Sequence, residues 1–228
     1  MRYPGGKGGS GVYQTIINCI PPHDVYIETH LGGGNILERK KVARSSIAID
    51  IDAAVIAQWK QRDIPGLSLH HGDAVEFLRN YPFNGQEFVY ADPPYMAETR
   101  RGGKLYRHEY GDEDHAELLN VLLALPCLVM ISGYRSELYD TRLLGWQRQD
   151  YLAMTRSGEQ AVESIWMNYA PPTLLHDLRY LGENFRERER IKRKKTRWRT
   201  RLEKLDPLER AAILEVLREL DSVQHRQI

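Results

Sequence analysis

The segment Val25-Tyr26-Ile27-Glu28-Thr29-His30-Leu31-Gly32-Gly33-Gly34-Asn35 decides which fold this chain can adopt. Its first four residues are rich in β-branched and aromatic side chains and predict a strand. The three glycines predict a tight loop, and a helix is expected over residues 34–42. A strand, a glycine-rich loop and a helix N-terminus allow the backbone to approach a ligand closely, although the strict dinucleotide-binding spacing of glycines is missing.

Strand-like runs alternate with helical runs over the first 170 residues, which predicts an α/β domain with a mostly parallel sheet. The turn signal Arg156-Ser157-Gly158-Glu159 joins the last two strands as an antiparallel hairpin. The predicted strands span residues 25–28, 46–50, 67–71, 87–91, 127–132, 147–154 and 164–169, and the predicted helices span 11–20, 34–42, 53–61, 74–81 and 112–125.

Length and composition indicate a soluble globular protein, with 228 residues of which 42% are hydrophobic and 28% charged. Cys19 and Cys127 stand in apolar contexts without metal-ligand spacing, so we expect buried thiols in a cytoplasmic protein. The longest apolar run, residues 121–131, is too short to cross a bilayer, which needs about 20 residues. Met1-Arg2-Tyr3-Pro4 lacks the apolar core of a signal peptide.

The charge of the chain is concentrated in one segment. Residues 186–201 hold ten Lys or Arg and two Glu, a local net charge of +8, although the whole chain carries only +1. A basic segment on an acidic body is typical of polyanion binding. After Ala170-Pro171-Pro172 the composition becomes helical and charged, so we expect residues 1–172 to form the α/β domain and 173–228 a basic helical extension. Asp206-Pro207 is expected to start the last helix.

Acidic residues follow two predicted strands, at the edge where open α/β sheets bind ligands. Asp50-Ile51 ends the second strand, sixteen residues after Gly34, and is placed to hydrogen-bond ribose hydroxyls. Asp73-Ala74 follows the third strand and offers an acid for an adenine amino group. Each acid by itself could equally cap a helix, but the ordered set favours binding of a nucleoside-containing ligand.

Ala91-Asp92-Pro93-Pro94-Tyr95 follows an apolar strand and predicts the chemistry. Asp92 offers a carboxylate, Pro93 a carbonyl and Tyr95 a flat ring, and the two prolines keep the turn stiff. A stiff, acceptor-rich pocket beside an aromatic ring suits a planar base with an exocyclic amino group. At the N-terminus, Arg2-Tyr3-Pro4-Gly5-Gly6-Lys7 is a second glycine-rich stretch, too short for a phosphate-binding P-loop.

Together these motifs resemble those of the Dam-type (alpha-class) DNA N6-adenine methyltransferases, over roughly residues 2–170. The resemblance implies a Rossmann-like methyltransferase sheet, no metal, and S-adenosyl-L-methionine as cofactor, with S-adenosyl-L-homocysteine as its product. In the family's Glu-Pro-Phe-x-Gly-x-Gly motif, Thr29-His30 replaces Pro-Phe. The implied cofactor-binding residues are Tyr3, Lys7, Glu28, Thr29, His30, Gly32, Gly33, Gly34, Asn35, Asp50, Ile51, Asp73 and Ala74, and the implied catalytic residues are Asp92, Pro93, Pro94 and Tyr95.

The chain departs from the best-known members of this family in one place. Those have a target-recognition domain between the ribose-binding and adenine-binding acids, whereas only 22 positions separate Asp50 from Asp73. Recognition of double-stranded DNA is therefore expected from the loop 96–111 and the basic C-terminal helix, with a short or relaxed target. This compact body with a basic tail resembles the phage and prophage branch of the family. The sequence leaves restriction protection, host mimicry and regulation open as its purpose. The predicted DNA-binding residues are Arg100, Arg101, Lys104, Tyr106, Arg107, Lys192, Lys194, Lys195 and Arg197.

The predicted reaction is direct methyl transfer to the N6 amino group of an adenine that is flipped out of the duplex. Tyr95 would stack on this base. Hydrogen bonds from the amino group to the Asp92 carboxylate and the Pro93 carbonyl would aim its lone pair at the methyl group. Three alternatives stay open: the same chemistry on RNA, the same chemistry on a cytosine amino group, and a DNA-binding module without catalysis.

Overall fold

Two compact units make up the chain, Met1–Tyr180 and Leu181–Ile228. The structure is a computed structural model that describes residues 6–99, 107–155 and 158–224, with side chains up to residue 220. Residues 173–180, which the composition assigns to the extension, lie in the first unit. Two hydrogen bonds hold them there: Lys41 N donates to the Asp177 carboxylate (2.8 Å), and His176 N donates to Ile20 O (2.9 Å).

Seven strands form one sheet at the centre of the first unit: β1 (Val25–Glu28), β2 (Ser45–Asp50), β3 (Leu67–His71), β4 (Glu87–Ala91), β5 (Leu128–Gly133), β6 (Gln147–Met154) and β7 (Gln160–Met167). Their order is β3-β2-β1-β4-β5-β7-β6. The first five strands pair in parallel, whereas β7 is antiparallel to β5 and to β6. This topology confirms the predicted fold class, a Rossmann-like sheet that is mostly parallel and ends in an antiparallel hairpin.

The last strand is longer than its sequence pattern indicates. Residues 164–169 were expected to be extended, but β7 starts at Gln160, because the pairing with β6 continues from Tyr151 and Glu163 to Met154 and Gln160 at the turn. This longer ladder places Glu163 opposite Tyr151.

Six α-helices are found among the described residues of the first unit, the first before β1 and the others between strands: α1 (Val12–Ile17), α2 (Asn35–Arg39), α3 (Ala53–Trp59), α4 (Ala74–Asn80), α5 (Asp112–Ala124) and α6 (Glu137–Arg142). The first five confirm the predicted helices, with ends one or more residues shorter. The sequence pattern does not predict α6. It spans only six residues and begins where the Ser136 hydroxyl accepts a hydrogen bond from Tyr139 N (3.2 Å).

Apolar side chains fill both faces of the sheet, as a doubly covered parallel sheet requires. Helices α1, α2 and α3 cover one face, with Ile16 and Trp59 in its core, and α4, α5 and α6 cover the other, with Leu118 and Tyr139 in its core. Cys19 and Cys127 are both buried free thiols, which confirms their prediction.

The second unit contains two long helices, α7 (Phe185–Glu203) and α8 (Pro207–Gln224). The Asn184 side chain caps α7 by accepting from Glu187 N (3.0 Å), and Asp206 accepts from Leu208 N (2.9 Å) at the start of α8, as predicted. No residue of α7 is buried. Within the described ranges of the chain, no helix has both the length and the hydropathy of a membrane span.

Candidate active site

The glycine loop after β1 is built so that only glycine fits at its end. Gly34 has φ +54° and precedes α2, and a Cβ there would lie 2.1 Å from Cζ2 of the Trp59 ring. The Trp59 indole also donates a hydrogen bond to Gly32 O (3.1 Å), so α3 holds the loop from one side. The backbone of residues 32–34 therefore faces the open space at the C-terminal ends of the parallel strands.

Glu28 is the buried end of β1 and ties this strand to the helix that follows. Its carboxylate accepts hydrogen bonds from the Tyr26 hydroxyl (2.7 Å) and from Leu37 N (3.1 Å). Burial raises the pKa of the Glu28 carboxyl to about 8, although its hydrogen bond with Tyr26 opposes the rise. Glu28 thus shapes the β1–α2 connection and faces the cleft beside it.

Asp50, at the end of β2, holds the glycine loop from the other side. One carboxylate oxygen accepts from Gly32 N (2.7 Å) and the other from Asp52 N (2.8 Å). Burial raises the pKa of the Asp50 carboxyl, and these two backbone hydrogen bonds limit the rise. Asp73 caps α4 by accepting from Glu76 N (2.9 Å), so its cap role, one of the two that the sequence left open, is present.

These elements line an open cleft at the C-terminal ends of β1, β2 and β4. Of the residues predicted from the sequence, it is lined by Lys7, Glu28, Thr29, His30, Gly32, Gly33, Gly34, Asn35, Asp50, Ile51, Asp73, Ala74, Asp92, Pro93 and Pro94. Tyr3 lies outside the described residues.

His30, which stands where the resembling family has phenylalanine, is a neutral hydrogen-bonding group. Its Nδ1 lies 2.8 Å from Thr29 Oγ1, and its Nε2 lies 3.0 Å from the Tyr110 hydroxyl. Burial lowers the pKa of the His30 imidazole to about 3. Tyr110 also lines the cleft, so His30 joins the glycine loop after β1 to the segment that precedes α5.

Asp92 lies just beyond β4 and makes an ion pair with Lys7, with Nζ and Oδ1 2.8 Å apart. Burial raises the pKa of the Asp92 carboxyl to about 6, against the opposing effect of the Lys7 ammonium. Burial by itself lowers the pKa of Lys7, but the charges of Asp92 and Glu163 outweigh it and hold that pKa well above its ordinary value. At neutral pH the pair is therefore mostly ionised.

Tyr95 points into the protein next to this pair. Its hydroxyl accepts a hydrogen bond from Lys7 and donates one to the Glu163 carboxylate (2.8 Å). Its ring lies edge-on against Tyr134, with ring centroids 4.7 Å apart. The ring is only 6% exposed, so its predicted stacking on a base stays a prediction.

Several residues of this site were not predicted from the sequence, and four of them have polar side chains that contact or line it. Glu163 and Tyr151 come from the hairpin, and Asp52 and Tyr110 come from turns around the cleft. The sequence pattern did not indicate the hairpin pair, because Glu163 precedes the predicted strand 164–169. Among the described residues, no three His, Cys, Asp or Glu side chains form a group that could hold a metal ion.

The predicted DNA-binding residues fall into three sets. Arg107 lines the cleft and pairs with the Asp52 carboxylate (3.1 Å), with its side chain 69% exposed. Arg100, Arg101, Lys104 and Tyr106 lie outside the described residues. Four more are exposed side chains of α7, namely Lys192, Lys194, Lys195 and Arg197.

No protein-family model matches this chain, and no curated protein matches its sequence. Among solved structures, it is similar to a dimethyladenosine transferase from Plasmodium falciparum (16% identity, 73% of this chain and 63% of that one, TM-score 0.47). The chain thus spans less than two thirds of that relative.

Two further solved structures are similar at comparable levels. One is M. capricolum TrmK in complex with S-adenosylhomocysteine (9% identity, 92% of this chain and 95% of that one, TM-score 0.45). The other is the plantazolicin methyltransferase BamL in complex with a triazolic desmethylPZN analogue and SAH (11% identity, 70% of this chain and 85% of that one, TM-score 0.46). These identities and TM-scores are too low to assign a substrate, so the function must be argued from the chain's own residues.

Proposed function

We propose that this protein is an S-adenosylmethionine-dependent methyltransferase that modifies the N6 amino group of adenine in double-stranded DNA. The observation that carries the proposal is the position of Asp92-Pro93-Pro94-Tyr95. Asp92 and both prolines line the same cleft as the glycine loop after β1, and Lys7 contacts both Asp92 and Tyr95. The turn that carries the hydrogen-bond acceptors therefore lies next to the glycine loop proposed to bind the cofactor.

The residues that line the cleft fit this cofactor. Each Asp50 oxygen accepts one backbone hydrogen bond and has a second lone pair for a ribose hydroxyl. Asp73 stands beyond it for the adenine ring. The aspartates of the cleft, Asp50, Asp52, Asp73 and Asp92, outnumber the cations Lys7 and Arg107, which favours a ligand with a cationic centre. S-adenosylmethionine, when bound, supplies a methyl group on a positively charged sulfur.

Asp92 would receive the amino group of the target base. Its carboxylate accepts a hydrogen bond from the amino group, and the Pro93 carbonyl accepts the second. With both N–H bonds held, the nitrogen lone pair is directed away from the ring and into the cleft. The amino group must also lose a proton, and Asp92, with a pKa of about 6, is suited to take it near neutral pH.

The aromatic pair beside Asp92 gives the base an apolar wall. Tyr95 and Tyr134 meet edge to face, and Tyr134 is partly exposed next to the groove of Thr99 and Val162. An adenine that leaves its duplex loses stacking energy, and contact with aromatic rings returns about 1–3 kcal/mol per base. Binding of the duplex itself is assigned to the exposed basic face of α7, whose contacts to phosphates would not depend on sequence.

The test is transfer of a labelled methyl group from S-adenosylmethionine to unmethylated duplex DNA, with a matched RNA in parallel and nucleoside analysis of the product. Wild type should label N6-methyladenine in DNA. Asp92→Ala should lose at least about a thousandfold in rate, a loss typical of a group that acts only on the reacting atoms.

The outcomes separate the alternatives. Cofactor affinity of Asp92→Ala, measured by calorimetry, should fall far less than the rate, because the main role proposed for Asp92 is on the base. Label in RNA alone would keep the chemistry and refute the DNA substrate. Absence of cofactor binding by folded wild-type protein would refute the proposed enzyme and favour a binding module.

A further inference from the structure

A buried hydrogen-bond network surrounds the carboxylate of Glu163, on β7. Its Oε2 accepts hydrogen bonds from the Tyr95 hydroxyl (2.8 Å) and the Tyr151 hydroxyl (3.0 Å), and lies 3.3 Å from Lys7 Nζ. Glu163 is 8% exposed. A buried carboxylate is costly unless it is paired and hydrogen-bonded, and here one oxygen meets three donors.

The antiparallel hairpin creates this network. Tyr151 of β6 and Glu163 of β7 are cross-strand partners, so both side chains point to the same face of the sheet. On that face, Glu163 reaches the turn after β4, where it accepts the hydrogen bond from Tyr95. The hairpin therefore delivers a negative charge to the site from outside the motifs that resemble the methyltransferase family.

Lys7 lies between two carboxylates. Its ammonium is 2.8 Å from Asp92 Oδ1 and 3.3 Å from Glu163 Oε2, and an ammonium has three N–H donors to distribute. In the proposed reaction the base amino group must donate to Asp92, where Lys7 already donates. A second acceptor within reach allows Lys7 to weaken that contact without leaving its charge unpaired in a buried site.

We propose that Glu163 and Tyr151 are positioning residues, an inference that rests on the proposed function. They hold Lys7 and Tyr95 in place, and Glu163 receives the Lys7 ammonium when the base amino group binds to Asp92. No covalent bond forms or breaks at either residue.

The proposal predicts how the titration of Asp92 responds to Glu163. Removing a nearby negative charge favours the ionised form of Asp92, and the released Lys7 ammonium favours it further. Glu163→Gln is thus expected to lower the pKa of Asp92 by about one unit or more. The titratable groups that face Asp92 from the surrounding elements are Lys7, Tyr26, Glu28, Tyr90, Tyr95, Tyr139, Tyr151 and Glu163.

The experiment compares wild type with Glu163→Gln and Tyr151→Phe. Glu163→Gln should lower kcat about 10- to 100-fold, as expected for misplaced reacting groups, with cofactor affinity within about twofold of wild type. In the pH profile of kcat/KM of this variant, the acid limb, where the rate falls as Asp92 becomes protonated, should move to lower pH. Tyr151→Phe, which removes one donor and no charge, should lower kcat less and leave the limb in place.

Glu87→Gln is the matched control. Glu87 is also a buried glutamate, 1% exposed, but it accepts backbone hydrogen bonds from Asn84 and Gly85 at the far end of β4. It can lower stability but should not move the acid limb. An acid limb that moves equally in Glu87→Gln and Glu163→Gln would overturn the proposal.

A second measurement keeps the two proposals distinguishable. Carbon-13 NMR of aspartate-labelled protein follows the Asp92 titration without any substrate, with Asp92→Asn used for assignment. A lower pKa of Asp92 in Glu163→Gln supports the proposal. An unchanged pKa of Asp92 together with a wild-type kcat overturns it. If wild type methylates neither DNA nor RNA, the proposed function fails, and with it the catalytic purpose of the network, whatever the NMR shows.

Discussion

Replacement of Lys7 by methionine should convert a site that works at neutral pH into one that needs alkaline pH. Lys7 is 3% exposed, and its ammonium lies 2.8 Å from Asp92 Oδ1. Methionine has a similar unbranched shape but no charge and no donor. The substitution therefore removes the group that keeps Asp92 ionised and leaves the burial that raises its pKa.

The size of the shift follows from the pair itself. The pKa of Asp92 is about 6 with Lys7 in place. An opposite charge at this distance lowers an acid's pKa by about 1–3 units, so Lys7→Met should raise the pKa of Asp92 to between about 7 and 9. At pH 7 the ionised fraction of Asp92 would fall from about nine tenths to between about one half and one hundredth.

The assay is the pH dependence of kcat/KM for methyl transfer to DNA between about pH 5 and 10, which reports the free enzyme's essential groups. The rate of Lys7→Met should recover as pH rises through the new pKa, because the required form of Asp92 is the carboxylate. Lys40→Met is the control, since Lys40 is equally buried but lies over the Tyr26 ring and makes no ion pair with Asp92. A Lys7→Met profile with its acid limb still near pH 6 would refute the electrostatic reasoning.

Two further predictions concern the glycine loop and the basic helix. Gly34→Ala should destabilise the protein by about 2–4 kcal/mol from backbone strain and overlap with Trp59, whereas Gly145→Ala, with φ +92° but no atom within 4 Å, should cost about 1 kcal/mol. Denaturant unfolding measures both, and equal losses would contradict the overlap. Neutralising the predicted phosphate contacts of α7 should weaken DNA binding at every sequence. The slope of log binding constant against log salt concentration should become shallower by about 0.9 per lost phosphate contact. Fluorescence anisotropy measures this slope, and Arg210→Gln of α8 is the control. An unchanged slope would exclude phosphate contacts by the substituted residues, Lys192, Lys194, Lys195 and Arg197.

The sheet was predictable because its signals are local. Strands β1, β3, β4 and β6 have the predicted bounds. In β1 and β4, β-branched and aromatic residues specify extended backbone directly, and in β3 apolar Leu67 and Leu69 alternate with polar residues. The glycine loop, Asp50 and the turn at Asp92 follow such strands. In a parallel sheet the C-terminal ends of neighbouring strands meet at one edge, so their approach to a common cleft could also be predicted.

Side-chain partners were not predictable in the same way. His30 was expected among cofactor-binding residues, but its bond to Tyr110 joins residues 80 positions apart. Asp73 carried two equally plausible roles, and only the backbone geometry shows the cap. Helix α6 was missed because it buries a single side chain, Tyr139, and so shows no repeated apolar positions along the sequence.

The sequence by itself determined the α/β class, the order of the predicted ligand-binding motifs and the turn that carries Asp92, because each depends on residues close together in the chain. Only the tertiary structure decided that the Lys7 ammonium lies between Asp92 and Glu163. That contact depends on the antiparallel register of the hairpin, which brings Glu163 to Tyr95 across 68 residues, and on the cost of burying a charge without a partner.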